Sequence, residues 1–299
     1  MLERCVNSIL KQDYQNYEII LVDGMSSDIE TLNYLKVLKK NRKLKIITNK
    51  LQFPEGKGFG KSQGFDKSLG DFVLFIDQDN ELQERDYLTK AVEIFKKEKD
   101  IFGIGYRLLL KKEDNLTNRY LSLVGTDPFF GYRSLDFLIH TKRLNIQKKR
   151  DYSIVTIKKE RPIITGGNCF FYRRNILKQI GGYSTDVETI KKLLDKGDAF
   201  FAIPKRYTHH QAIKGFFNFI AKKHYWAKNY RGGKTDHDYL ETNSEKIGMI
   251  KNSILISTLI YPFTLSLKLA IKERKFEWLM HAPMSLFTEL IYILGMLRI

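Results

Sequence analysis

Phe72-Val73-Leu74-Phe75-Ile76-Asp77-Gln78-Asp79 is the stretch on which the reading of this 299-residue chain turns. Five consecutive apolar residues, too few for a helix of their own, predict a strand covered on both faces. Two carboxylates one residue apart close it. Working back toward the N-terminus, the glycine-rich segment Gly56 to Gly64 reads as a loop opening a helix, Leu44 to Asn49 as a strand, and Asp28 to Lys40 as a helix. Glu18-Ile19-Ile20-Leu21-Val22 is a second apolar strand ending abruptly in Asp23-Gly24, and Leu2 to Leu10 has apolar residues at helical spacing. Strands alternating with helices in this way predict an α/β fold with a mostly parallel sheet flanked by helices. In such folds the ligand crevice lies beyond the carboxyl ends of the strands, where Asp23 and Asp77 both fall.

Toward the C-terminus, residues 107–161 are less regular and strongly basic, with Lys142, Arg143, Lys148, Lys149, Arg150, Lys158 and Lys159, and are expected to form a variable acceptor-side segment. Regular patterning returns with Thr165-Gly166-Gly167-Asn168, a short strand to Tyr172, a helix through Ile180 stopped by Gly181-Gly182, and a further helix from Val187 to Leu194. Past Asn252 the composition changes. Ser253 to Leu267 carries no charge, and Phe276 to Leu297 has only Glu277, His281 and Glu289. Each stretch is at or below the ~20 apolar residues that cross a bilayer, and each contains a proline. An interfacial helical hairpin is therefore expected ahead of a spanning pair, with two buried helices as the remaining alternative. The implied organisation is a catalytic domain over 1–235 and a membrane-associated helical tail over 236–299.

Hydrophobic residues at 43% and charged residues at 28% exclude disorder, while 51 Lys plus Arg against 34 Asp plus Glu leave a net charge of +17. A surface that basic suits nucleic acid, anionic lipid or phosphorylated small molecules. Cys5 and Cys169 are the only cysteines, which excludes a disulfide framework and a cysteine-rich zinc site and favours a reducing compartment. Met1 to Lys11 lacks an apolar signal core, so no export signal is expected there.

Asp77 and Asp79 at a strand end are placed to share Mg²⁺ or Mn²⁺, hard cations that commonly bridge protein carboxylates to substrate phosphates. An ion there would offset charge on a departing diphosphate. Gly56, Gly58 and Gly60 ahead of a helix N-terminus suit a backbone phosphate cradle, with Lys61 as a further phosphate contact or, equally, a solvated side chain.

The run from Ser8 to Asp28, followed by Gly64-Phe65-Asp66-Lys67-Ser68-Leu69-Gly70-Asp71 ahead of the acid pair, resembles the family-2 inverting glycosyltransferases of GT-A fold. The resemblance covers residues 2–100 and 160–230. It implies that Asp23 contacts the base and ribose of a nucleotide sugar and that Asp77 and Asp79 hold the metal. Where the family has an Ala-Arg-Asn-like triplet this chain has Gly60-Lys61-Ser62. Thr165 to Phe171 and Gly181-Gly182-Tyr183 are similar to the family's acceptor-side strand and following helix, which makes Gly166, Gly167 and Asn168 acceptor-side residues. The family's Glu-Asp pair is broken: Asp186 is the candidate catalytic base, with Thr185 in the glutamate position and Glu188 as the rival. One well-placed acid suffices for an inverting transfer.

The resemblance also predicts a histidine near the metal, His209 or His210, although adjacent strand residues point to opposite faces. Lys222-Lys223-His224-Tyr225-Trp226 shares only its tryptophan with the Gln-x-x-Arg-Trp of polymerising synthases, which argues against that activity. Trp226 stacks on an acceptor or packs in a core. The family's first strand, with a Ser-Val-Ile-Ile-Pro-Thr-Tyr-Asn-like sequence, has no counterpart here. Without it the sequence as given is expected to be unstable or inactive alone. Together these features predict transfer from a UDP- or GDP-sugar to a lipid-linked or cell-surface glycan or a polyprenyl-phosphate-type acceptor. The expected location is the cytoplasmic face of a membrane, peripheral or monotopic, with the basic stretch from Lys205 to Lys234 facing headgroups. A catalytically inactive membrane scaffold of the same fold is the alternative, and nucleic acid is not an expected partner.

Overall fold

The computed structural model describes residues 1–49, 59–125, 127–160, 162–163, 168–211, 213–231 and 243–297. The chain forms two compact units, one made of Met1–Arg107 and Ile146–His209, the other of Leu108–Asn145 and His210–Ile299.

The first unit begins with α1 (Leu2–Leu10), β1 (Ile19–Asp23), α2 (Ile29–Leu38), β2 (Leu44–Thr48), α3 (Phe59–Lys67) and β3 (Phe72–Phe75). Then come β4 (Asn80–Leu82), α4 (Tyr87–Lys97) and β5 (Gly103–Ile104). In the second unit the chain forms α5 (Leu116–Val124) and α6 (Leu135–His140), and β6 (Asn145–Lys148) leads back to the first. There it adds β7 (Tyr152–Ile157), β8 (Phe170–Arg173), α7 (Arg174–Gln179), α8 (Asp186–Leu194), β9 (Ala199–Pro204) and β10 (Thr208–His210). The second unit closes with α9 (Phe216–Arg231), α10 (Asn243–Ser257), α11 (Ile260–Glu273) and α12 (His281–Leu297).

The α/β architecture with flanking helices is present, but the strand pairing is mixed where a mostly parallel sheet was expected. The main sheet runs β3-β8-β5-β9-β7-β6. β5 and β9 are parallel, whereas β8 lies antiparallel between β3 and β5, and β7 antiparallel beside β9. The reason is connectivity: the chain returns from residue 168 and inserts β8 against its neighbours' direction. Its three leading residues, Phe170, Phe171 and Tyr172, are buried and supply much of the aromatic core.

β1 and β2 form a separate parallel pair. β1 and β3 nevertheless run the same way. Glu18, just ahead of β1, accepts from the Leu69 N–H just ahead of β3, while α3 sets Gly60 and Gly64 against Val22 and Ile20 and reaches Asp77 through Lys61. Among the described residues no strand pairs with β1 on its side away from β2, nor with β3 on its side away from β8. All five β1 residues remain half-buried, although four of them are large and apolar.

The division into units departs from the expected boundary at residue 235. α5 and α6 bury Tyr120, Leu121, Leu123, Val124 and Phe137 against Phe219, Leu269, Trp278 and Met284. The apolar faces of the middle segment are thus covered by the C-terminal helices, which binds 108–145 to 210–299 as one core.

Gly103 sits where the sheet leaves no room for a side chain, because a Cβ there would lie 2.3 Å from the Phe171 carbonyl oxygen. Gly103→Ala is expected to destabilise the protein by about 1–3 kcal/mol through displacement of β8, read as a lowered denaturation midpoint with an unchanged slope.

Candidate active site

Three elements bring charge together at the carboxyl end of β3. Asp77 follows the strand after Ile76, Lys61 stands on the first turn of α3, and Asp186 opens α8. The Lys61 ammonium lies 3.0 and 3.1 Å from the two Asp77 carboxylate oxygens and 3.7 Å from Asp186 Oδ1. Lys61 therefore holds two carboxylates 109 residues apart in sequence in one cluster.

Each member is fixed locally. α3 can lie close to β1 because Gly60 and Gly64 present no side chain to Val22 and Ile20. Ser62 donates to the Tyr183 carbonyl at 2.6 Å, tying α3 to the segment ahead of α8. The Asp77 N–H donates to Asn168 Oδ1 at 3.3 Å, and its carbonyl accepts from Cys5 Sγ at 3.5 Å. Thr185 caps α8 by accepting from the Glu188 N–H at 3.2 Å. Thr185-Asp186-Val187-Glu188 is thus a capping-box sequence, and the threonine in the family's glutamate position starts the helix that carries Asp186.

The electrostatics follow from crowding around one open face. Burial pushes Asp77 above the ordinary carboxylate value of 3.8 and nearby Asp186 adds to this, while Lys61 opposes it. Burial alone would lower Lys61, but Asp186 and then Asp77 outweigh it and hold the ammonium above its usual 10.5. Burial, then the charges of Asp77 and Asp79, push the Cys5 thiol up to about 12. Cys169 is fully buried and shifted the same way, chiefly by burial. Neither cysteine is a thiolate at neutral pH.

Asp186 and Glu188 meet different partners. Glu188 points along α8 to Lys192 at 2.8 Å, which holds its carboxyl below the usual range. Asp186 accepts from the Tyr183 hydroxyl and joins Lys61 and Asp77. Asp79 accepts from Asn80 Nδ2 at 2.7 Å. Asp23 closes a turn after β1, its Oδ1 accepting from the Ser26 N–H at 3.1 Å and the Ser26 hydroxyl at 2.7 Å. The Asp23 carbonyl receives the N–H of Asn49, whose side chain in turn accepts from Gln63 on α3.

His209 is buried on β10, the strand paired with β4, and lies 3.8 Å from Glu81. His210 is half-buried beside it. Trp226 belongs to the second unit, half-buried on α9 and edge-on to Tyr225 at 6.1 Å. In the same motif Lys223 pairs with Asp127 at 2.5 Å. Gly56, Lys57, Gly58, Gly166 and Gly167 lie outside the described residues.

Sequence reasoning missed Tyr183, Ser62 and Asn49. Tyr183 is 4% exposed, stacks on Phe75 at 4.1 Å and reaches Asp186. Its spacing of three residues ahead of Asp186 was the one available signal.

Among the described residues no three His, Cys, Asp or Glu side chains converge as a ready-made metal cage. Asp77 and Asp79 still fit a divalent ion of the kind that takes one or two carboxylates and completes its shell with phosphate and water.

The sequence model described as Glycosyl transferase family 2 matches residues 1–181. A GalNAc(5)-diNAcBac-PP-undecaprenol beta-1,3-glucosyltransferase of Campylobacter jejuni is 31% identical over 121 residues, covering 40% of this chain and 38% of that protein. A PGL/p-HBAD biosynthesis glycosyltransferase of Mycobacterium bovis is 31% identical over 91 residues, 30% of this chain and 35% of that one. The match thus spans less than two-fifths of the length of these relatives. Among solved structures, the mannosyltransferase PcManGT of Pyrobaculum calidifontis, in complex with GDP-Man and Mn²⁺, superposes with a TM-score of 0.55 at 14% identity. That superposition covers 99% of this chain and 83% of the other, and shows a shared fold.

Lys61→Met removes the cation between two carboxylates. Because Asp77 keeps 44% of its side-chain surface, the expected loss is only about 1 kcal/mol at neutral pH. The pair needs Asp77 ionised. The difference between wild type and variant should therefore narrow as the pH falls through the Asp77 titration, which lies above 3.8, and chemical denaturation across a pH series measures it.

Proposed function

The chain belongs to glycosyl transferase family 2 and is a glycosyltransferase, and we propose that it moves a sugar from a nucleotide-diphosphate donor to a lipid-linked or cell-surface glycan acceptor with inversion at the anomeric carbon. The observation that carries this reading is Lys61 joining Asp77 and Asp186. One cluster then contains an acid for the acceptor, an acid for the donor side and a cation between them.

In this reading Asp186 is the general base. It takes the proton from the acceptor hydroxyl as that oxygen attacks the anomeric carbon, and the bond from that carbon to the diphosphate breaks on the opposite face. The Tyr183 hydroxyl and the Lys61 ammonium meet the same Asp186 oxygen, Oδ1, and the side chain keeps 41% of its surface exposed. Lys61 is positioned to meet the diphosphate oxygens. Asp23 serves the nucleoside, held by Ser26 in its turn. Asp77 and Asp79 would hold Mg²⁺ or Mn²⁺, which supplies Lewis-acid stabilisation of the departing nucleoside diphosphate. Asn168 orients the Asp77 backbone and stands on the acceptor side in this reading.

Support for a lipid-linked acceptor comes from the Campylobacter relative, whose name places its glycan on undecaprenol diphosphate. The donor base stays between UDP and GDP, and the metal reading agrees with the Mn²⁺ complex of the structural neighbour.

Incubation with a panel of UDP- and GDP-sugars and Mn²⁺ is expected to release one nucleoside diphosphate. Asp79→Ala should abolish that release, and chelation should do the same in the wild type. Asp186→Asn should keep donor binding while transfer falls by roughly 10²–10⁴-fold. Transfer surviving intact in Asp186→Asn would remove Asp186 from the mechanism and return Glu188 to consideration. A folded protein binding none of the donors would end the nucleotide-sugar reading.

A further inference from the structure

The two apolar C-terminal stretches have different fates within the second unit. α12 turns Met284, Ser285, Thr288 and Glu289 inward, and Trp278 just ahead of it is fully buried. The hairpin expected from pairing the two stretches is thus half inside the fold. The outer face of α12 still exposes Phe287, Leu290 and Leu294, and α10 and α11 expose their apolar residues further. They meet at an 83° bend at Thr258-Leu259, where Leu259 takes φ +60°, a left-handed conformation that interrupts the helix. No single described helix is long and apolar enough to cross a membrane.

Along α10, Ile250 and Ile254 lie on one stripe, and along α11 Ile260, Phe263 and Leu267 lie on another, at the three- and four-residue spacings that share a helix face. All are exposed, Ile260 at 73%. The opposite face of α11 is committed to the core through Pro262, Ser266 and Leu269. The outer stripe is therefore additional apolar surface beyond what the fold requires. Both stripes converge on the bend, and from Ser253 to Leu267 there is no charge at all. The charges begin on the limbs, at exposed Lys246 and Lys251 on α10 and exposed Lys268 and Lys272 on α11.

We propose that this bent helix pair is a wedge that inserts its apolar corner into an anionic lipid bilayer, with the limb lysines resting at headgroup level. An uncharged apex set between cationic limbs matches the vertical profile of such a bilayer, apolar inside and negative at its surface. A second copy of the chain is a poorer occupant, since a self-complementary contact would crowd lysine-bearing limbs of like charge. The attachment is monotopic: the corner enters one leaflet and both limbs return to the same side. The inference is independent of the donor chemistry, because none of these residues belongs to the catalytic cluster.

The test is flotation of the full chain with vesicles of phosphatidylcholine alone and with ~30% phosphatidylserine. Strong binding to the anionic vesicles and weak binding to the neutral ones is expected. Ile260→Asp combined with Phe263→Asp should reduce binding by at least roughly tenfold, with circular dichroism and the nucleotide-sugar hydrolysis rate unchanged, since both side chains face outward. Lys268→Glu combined with Lys272→Glu should remove the preference for anionic vesicles and its salt sensitivity. Failure of the wild type to float, or flotation untouched by the aspartates, would overturn the proposal. A wild-type dimer that the aspartates convert to a monomer, without vesicle binding, would reassign the wedge to self-association.

Discussion

Lys61 stands between Asp77 and Asp186, and the first unit is arranged so that it can. A lysine between two carboxylates needs α3 pressed onto β1, which the glycines at 60 and 64 permit, and needs α8 started at the right place, which Thr185 does by capping it. The ammonium is the counter-charge that opposes the effect of burial and of the neighbouring Asp186 on Asp77.

The sheet around that site is built by insertion as much as by winding. A simple alternation of strand and helix would have laid each strand parallel to the last, yet β8 enters between β3 and β5 in the opposite direction. Its cost is steric, visible at Gly103, where the Phe171 carbonyl occupies the space of a side chain. Its return is the aromatic block of Phe170, Phe171 and Tyr172, and the delivery of Asn168 to the backbone of Asp77. The β1–β2 pair has no such neighbour. β1 keeps its apolar residues half-buried, with a strand on one side only among the described residues. Edge strands of that composition are unusual without cover, and in this unit the partial cover comes from α3.

The second unit shows a different economy of apolar surface. α5, α6, α9, α11 and α12 share one core around Trp278, which is why residues 108–145 travel with the C-terminal helices. A polar thread runs through it: Tyr120 bonds to His281, whose imidazole burial lowers to about 4 and so keeps neutral, and Glu273 accepts from His140 and Trp278. These groups are spent on holding helices in register. Apolar residues left over include exposed stripes on α10 and α11.

The sequence by itself determined the local elements and the chemistry they could carry. Apolar runs ending in Asp23 and Asp77, the Asp-x-Asp spacing and the glycines ahead of α3 are all signals within a few residues of one another, and local signals survive without a fold. The resemblance of those runs was enough to name the family. Only the tertiary structure decided which acid joins the site. Asp186 and Glu188 are two residues apart and equal in charge, and 100° of rotation per helical residue sends one toward Lys61 and the other along the helix to Lys192. It decided equally that β8 would run antiparallel, that residues 108–145 would belong with the C-terminal helices, and that α12 would bury one face while α10 and α11 kept the more exposed apolar stripes. Each of these depends on which surface meets which across long sequence separations, and hydrophobic patterning records that a residue is apolar without recording what will cover it.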